Sequence, residues 1–148
     1  MKKMIILILA SLLMLLGCSL KRSNPLDPVA HPGLQIPQDI TEIIATPSST
    51  HTTDHWVRLS WKWQNTQVAD GYYVYRGQSY NGTYQRLATV TNTPVPSDTL
   101  SSSISWTDSP VVPGDYFYKL SAFKRQGSDS GSALEGHISN YKYVRVPQ

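Results

Sequence analysis

Two hydrophobic patterns divide this chain of 148 residues. A run of about 13 residues, apolar except for Ser11, extends from Met4 to Leu16, directly after Lys2 and Lys3. It is too short for a bilayer-spanning helix, which needs roughly 20 residues. From residue 36 onward, short segments instead alternate apolar and polar side chains between turn residues, as half-buried strands do. The patterns therefore predict an N-terminal export segment followed by a β domain.

The clearest alternation lies between Trp56 and Trp63, where apolar side chains occupy every second position from Val57 onward. One face of this segment is expected to be buried and the other wet. Asn81-Gly82 predicts a tight turn between two later segments. The expected strands are Ile40 to Thr46, Trp56 to Trp63, Gly71 to Arg76, Tyr84 to Val90, Ser102 to Thr107, Tyr116 to Phe123 and His137 to Val146. Seven strands in about 110 residues predict an all-β fold, an immunoglobulin-like antiparallel sandwich.

Four segments in this order and spacing resemble a fibronectin type III domain over residues 36–148: Ile36 to Ile40, Leu59-Ser60-Trp61, Gly71 to Arg76, and Gly114 to Ala122. The resemblance implies that Trp61 is the buried tryptophan that packs the two sheets together. It also implies that Tyr116 is the tyrosine corner, whose hydroxyl bonds back to upstream backbone. It places Tyr72, Val74 and Leu120 among the inward-facing core residues.

Small residues follow the apolar run. The N-terminal segment therefore has the three parts of a secretory signal, which are a basic start, an apolar centre and small residues at the cleavage site. The sequence Leu15-Leu16-Gly17-Cys18 resembles the lipobox of bacterial lipoproteins. The resemblance implies cleavage of residues 1–17 and attachment of lipid, palmitate included, to Cys18. Two or more acyl chains hold a protein durably at a membrane. In a host with two membranes, Ser19 resembles the outer-membrane sorting pattern. The alternative is ordinary signal cleavage, with Cys18 an unmodified residue.

Residues 18–35 are expected to form a lipidated N-terminus and a tether. Pro25, Pro28 and Pro32 recur at short intervals, which favours extended polyproline geometry over a packed element. The alternative is that Asn24 to Pro28 is a docking motif for another envelope component. The chain is therefore divided into a signal peptide (1–17), a tether (18–35) and a β domain (36–148).

Charge and candidate chemistry exclude several functions. Without Lys2 and Lys3 the chain carries 11 basic and 10 acidic side chains instead of 13 and 10, so it has no basic patch for nucleic acid. It has no nucleophile motif and no phosphate-binding glycine loop. His51 and His55 lie in a segment without helical pattern, so they are not fixed on one face as a metal pair would be. No catalytic residue, metal site or cofactor is predicted.

A candidate binding face follows from the alternation of side chains along a strand. If Tyr72 faces the core, then Tyr73 and Tyr75 face outward, and the same parity turns Phe117 and Phe123 outward. Tyr141 or Tyr143 could extend this patch. Exposed aromatic patches often mark interaction sites. The alternative is cross-strand aromatic pairing that only stabilises the sheet.

These observations favour a non-enzymatic, lipid-anchored protein of the bacterial cell envelope that displays one fibronectin type III domain for protein binding or assembly. Its expected partners are a membrane, reached through the anchor, and an envelope protein. A carbohydrate-binding module that uses the same aromatic side chains is the second hypothesis. A small lipoprotein hydrolase is the third.

Overall fold

The computed structural model describes residues 36–50, 52–64, 66–93, 103–125 and 133–148, and within these ranges it contains strands and no helix. The strands are β1 (Ile44–Pro47), β2 (Val57–Lys62), β3 (Gly71–Gly77), β4 (Gln85–Thr91), β5 (Ser103–Asp108), β6 (Gly114–Arg125), β7 (Ala133–Glu135) and β8 (Lys142–Val146). The cleavage motif, Cys18 and the tether lie outside the described residues, so those predictions stay predictions.

The strands form two antiparallel sheets. One has the order β1-β2-β5, and the other has the order β4-β3-β6-β7, with β8 also paired to β6. Every strand pair runs antiparallel. The predicted all-β sandwich is therefore confirmed, and β6, the longest described strand, is the centre of the larger sheet.

The first and last predicted strands differ most from their predicted extents. The strand predicted over His137 to Val146 begins only at Lys142, because residues 137–141 leave the ladder, although Ser139 N–H bonds to Leu120 O and Ser139 Oγ accepts from Leu120 N–H. The short strand β7 lies before the predicted segment and was not predicted. The first strand begins at Ile44 rather than Ile40. Glu42 has a φ of 57°, which interrupts the extended backbone ahead of this strand.

The core lies between the sheets and follows the period-two pattern. In β2, the side chains of Val57, Leu59 and Trp61 are at most 1% exposed. The Trp61 ring crosses to the other sheet and meets Tyr72 edge to face, with ring centroids 5.2 Å apart. The core residues that the resemblance implied are all buried: Trp61, Tyr72, Val74, Tyr116 and Leu120. Burial of these apolar side chains is the main stabilising term of a fold of this size.

A polar contact also joins the sheets. Asp108 of β5 accepts hydrogen bonds from Arg76 Nη1 at 2.8 Å and from Tyr118 Oη at 2.7 Å. Burial and this bond to Asp108 raise the pKa of Tyr118 above its ordinary value, so the hydroxyl remains a donor. A buried carboxylate needs such partners, and the three side chains fix the smaller sheet against the larger one.

Candidate interaction face

The outer face of the larger sheet, which points away from the core, carries the predicted binding residues. Tyr72 and Val74 are fully buried, while Tyr73 and Tyr75 lie on the other side of β3 and are half-buried. The register sets Tyr73 opposite Ser121 and Tyr75 opposite Lys119 of β6. Directly paired residues share one face of a sheet, so the structure gives Tyr73 and Tyr75 the outward orientation that the alternation predicts.

Phe123 also lies on the outer face, but it is only 1% exposed, so its expected contribution to an exposed patch is corrected. Its ring stacks on Tyr73 with centroids 4.4 Å apart and planes 17° apart. The guanidinium groups of Arg86 and Arg125 cover the two rings, at 4.5 Å from Tyr73 and 5.3 Å from Phe123. At this end of the sheet, the pairing that only stabilises the strands is therefore the better description.

Tyr75 is held by a carboxylate rather than free to bind. Its hydroxyl donates to Glu135 Oε1 at 2.6 Å, and the Ser121 hydroxyl donates to the same oxygen. Burial, together with the hydrogen bond to Glu135, raises the pKa of Tyr75 to about 12. The phenol is thus protonated at neutral pH and fixed in place.

The exposed aromatic surface lies at the other end of the sheet, around Phe117. We call Phe117, Tyr80, Tyr141 and Tyr143 the aromatic cluster. Phe117 contacts the rings of Tyr141 and Tyr143 at centroid distances of 5.5 and 5.3 Å, and Tyr141 contacts Tyr80 at 5.8 Å. Tyr80, Tyr141 and Tyr143 are 56%, 44% and 51% exposed. Large aromatic side chains exposed together to this degree are a feature of interaction sites.

Sequence reasoning identified only part of this cluster. Phe117 belonged to the predicted face, and Tyr141 and Tyr143 were possible additions. Tyr80 was missed because it precedes β4 in the connection from β3, where alternation gives no orientation. Its position directly before Asn81-Gly82 was the available signal, since a tight turn brings its flanking residues back beside the sheet.

Charged groups surround the aromatic cluster. Tyr143 Oη donates to Asp115 Oδ1 at 2.8 Å, and Arg145 Nε lies 3.8 Å from the same oxygen. The hydrogen bond to Asp115 raises the pKa of Tyr143 above its ordinary value. On the other side, Lys119 Nζ lies 4.3 Å from the centre of the Tyr84 ring. The cluster therefore has an apolar centre, two cations near it and one carboxylate that is already engaged.

The aromatic cluster lies away from the point where the tether would join the domain. Pro37 packs against Gly136, where an added Cβ would come 2.7 Å from Pro37 O. Gly136 N–H bonds to Ala122 O, so this contact is level with Ala122 of β6. Phe117 precedes Ala122 by five residues, which is roughly 17 Å along a strand. The cluster is consequently separated from the domain's N-terminal entry.

A cleft of about 350 Å³ lies elsewhere, between the segment before β1 and the segment before β8. Its polar groups bind mainly one another or nearby surface groups. His137 Nδ1 is 3.2 Å from Asp39 Oδ1, and Glu42 Oε1 is 3.0 Å from Lys62 Nζ. Within the described ranges, no group of three potential metal ligands is found. The same residues include no helix long and apolar enough to cross a membrane.

Similarity to known proteins bears on the fold. Neither a protein family model nor a curated protein matches this chain. A solved structure is similar, "a Fn3-like protein from Clostridium thermocellum", with a TM-score of 0.51 and 23% sequence identity. The similarity covers 77% of this chain and 97% of that chain. Together with the two antiparallel sheets, it shows that the described part of this chain has a fibronectin type III-like fold.

Proposed function

We propose that this protein is a lipid-anchored component of the bacterial cell envelope whose fibronectin type III-like domain binds another protein. The observation that supports the proposal is the aromatic cluster around Phe117. The three tyrosines of this cluster are about half exposed. Tyrosine supplies a large, rigid contact area with a polar tip, which suits a protein interface. The fold contributes a rigid sheet on which the cluster is held.

The anchor in this proposal rests on the sequence. Residues 1–17 have the three parts of an export signal, and Cys18 follows as the only cysteine of the chain. A lone cysteine cannot form an internal disulfide. The lipobox resemblance instead implies that Cys18 is the site of lipid attachment. An anchored Cys18 would reach the domain near the contact of Pro37 with Gly136, which is separated from the aromatic cluster, so the anchor would leave the cluster accessible.

The anchor is tested by palmitate incorporation in a bacterial host. Radiolabelled palmitate should enter the wild-type protein and not the Cys18→Ser variant. Mass spectrometry of the mature N-terminus should find residues 1–17 removed and Cys18 acylated. A free thiol at Cys18, or label that persists in the variant, would contradict the anchor.

The interface is tested by placing a photo-crosslinking amino acid at position 141 of the full chain in its native host. We expect a discrete protein adduct that is lost when Phe117→Ala is added to the same chain. The matched control is position 107, since Thr107 is exposed on the smaller sheet. An absent adduct at position 141, or the same adduct from position 107, would exclude this face as the interface.

A further inference from the structure

We infer that the aromatic cluster accepts a protein segment that inserts a large apolar side chain and carries acidic residues beside it. This inference rests on the proposed protein-binding function and specifies the partner of that same site. It depends on two observations: the angles between the rings and the signs of the charges around them.

The angles between the rings exclude a flat platform. Within the aromatic cluster, Phe117 is inclined by 65° to Tyr141 and by 49° to Tyr143, and Tyr141 is inclined by 52° to Tyr80. Tyr73 and Phe123, at 17°, show that this sheet also accommodates nearly parallel rings. A sugar ring stacks on an exposed planar face, whereas these inclined rings offer no common plane. Inclined rings can contact an apolar side chain from more than one side, and such a side chain is the usual anchor of a protein interface.

The charges around the aromatic cluster favour an acidic neighbour to that anchor. Lys119 follows Phe117 by two residues and Arg145 follows Tyr143 by two, so both cations share the outer face with the rings. Among the described residues, no carboxylate lies within 4 Å of Lys119 Nζ. Asp115 accepts the Tyr143 hydroxyl and lies 3.8 Å from Arg145 Nε, so Lys119, Arg145 and Asp115 together carry one net positive charge. Opposite charges across an interface give specificity and faster association, so a partner with carboxylates is the complementary one.

The outer face of the larger sheet as a whole also carries a net positive charge. Its strands carry four cations, Arg86, Lys119, Arg125 and Arg145, against two carboxylates, Asp115 and Glu135. Glu135 is engaged by the hydroxyls of Tyr75 and Ser121. A second copy of this chain would therefore bring cations against cations if the two outer faces met. Charge thus favours a different, acidic partner over self-association.

The test uses phage-displayed random linear peptides, selected on the full-length protein held in a neutral detergent. We expect enrichment of peptides with one large apolar residue and with Asp or Glu next to it. A synthetic peptide of the enriched sequence should bind the Tyr141→Ser and Arg145→Glu variants about tenfold more weakly or worse. Its affinity should also fall as salt is raised. The matched control is Thr107→Glu, an exposed substitution on the smaller sheet, which should leave binding unchanged.

Several outcomes would overturn the inference. These are no enrichment, enriched peptides without acidic residues, or affinities that Arg145→Glu leaves unchanged. Retention of a polysaccharide that depends on Tyr141 would point to a glycan instead. Sedimentation showing a dimer that Tyr141→Ser dissociates would point to a second copy. If the peptide selection fails while the crosslink from position 141 persists, the inference of an acidic partner segment is wrong, but the proposed protein-binding function stands.

Discussion

The ring of Phe123 lies directly against the backbone of Gly71. The two residues are opposite each other in the β3–β6 register, and a Cβ added to Gly71 would lie 2.6 Å from Phe123 Cζ. With no side chain on Gly71, the ring settles onto the sheet and stacks on Tyr73. An aromatic ring over a glycine of the neighbouring strand is a known way to stabilise a sheet. It also explains why Phe123 is buried on an outer face.

Substitution Gly71→Ala should destabilise the domain. The new Cβ would also lie 2.6 Å from Val90 O, which belongs to the β4 backbone and cannot rotate away. Overpacking of this kind typically costs about 1–3 kcal/mol of the free energy of unfolding. Urea denaturation of the variant and of wild type measures the difference. The control Thr89→Ala, on the exposed edge strand, should change stability by less than about 0.5 kcal/mol. Equal stability of Gly71→Ala and wild type would contradict the close contact.

Substitution Tyr116→Phe should remove a single hydrogen bond. Tyr116 Oη donates to Val112 O at 2.9 Å, a local bond that closes the turn leading into β6. Loss of one such bond lowers the free energy of unfolding by about 1 kcal/mol. Tyr73→Phe is the matched control because, among the described residues, the Tyr73 hydroxyl has no hydrogen bond. A chemical denaturation midpoint that moves equally in both variants would show that the Val112 contact contributes nothing.

The alternation of side chains predicted which face of each strand is buried, because that orientation is a local property of the extended backbone. Trp61, Tyr72 and Tyr73 all point as the pattern indicates. Tyr116 could be assigned only through the family resemblance, since its bond to Val112 depends on the shape of a turn. The sequence therefore predicted the fold and the outward orientation of the side chains on the candidate face.

What the pattern could not predict depends on register between distant strands. Phe123 is buried because it meets Gly71, some 50 positions earlier in the chain, and no local pattern reports that pairing. Tyr80 joins Phe117 and Tyr141 through a turn whose path alternation does not describe. Asp108 lies at the end of β5 and binds Arg76, which is 32 positions earlier in the chain. These contacts are tertiary, so they appear only in the folded chain.

Substitution Asp108→Ala should be among the most destabilising single changes. It would leave the Arg76 guanidinium and the Tyr118 hydroxyl without their shared acceptor. The Arg76 side chain is 31% exposed, so the expected loss is that of hydrogen bonds to a charged group, about 1.5–3 kcal/mol each. Asp108→Asn keeps an oxygen acceptor, so its effect on the free energy of unfolding should be smaller than that of alanine. The control Asp115→Ala removes a half-exposed carboxylate on the outer face, where an ion pair contributes about 0–1 kcal/mol. Equal losses for Asp108→Ala and Asp115→Ala would show that the Asp108 contact does not join the sheets.

The domain should lose stability in alkaline solution, in part through Tyr75. Burial and the hydrogen bond to Glu135 raise the pKa of Tyr75 from 10.0 to about 12 in the folded protein. Between these two values the unfolded chain loses the phenolic proton while the folded chain retains it. The stability contribution of Tyr75 is therefore complete below about pH 10 and falls as the pH rises toward 12.

Urea denaturation of wild type and Tyr75→Phe at a series of pH values tests this expectation. The variant should be less stable than wild type near neutral pH, because it lacks the bond to Glu135. Its free energy of unfolding should then decline less steeply above about pH 10, because one of the tyrosines with a raised pKa is gone. Glu135→Gln, which keeps an acceptor but removes the charge, should bring the absorbance titration of Tyr75 to lower pH. Parallel declines in wild type and Tyr75→Phe would mean that Tyr75 titrates in the folded protein as it does in the unfolded chain.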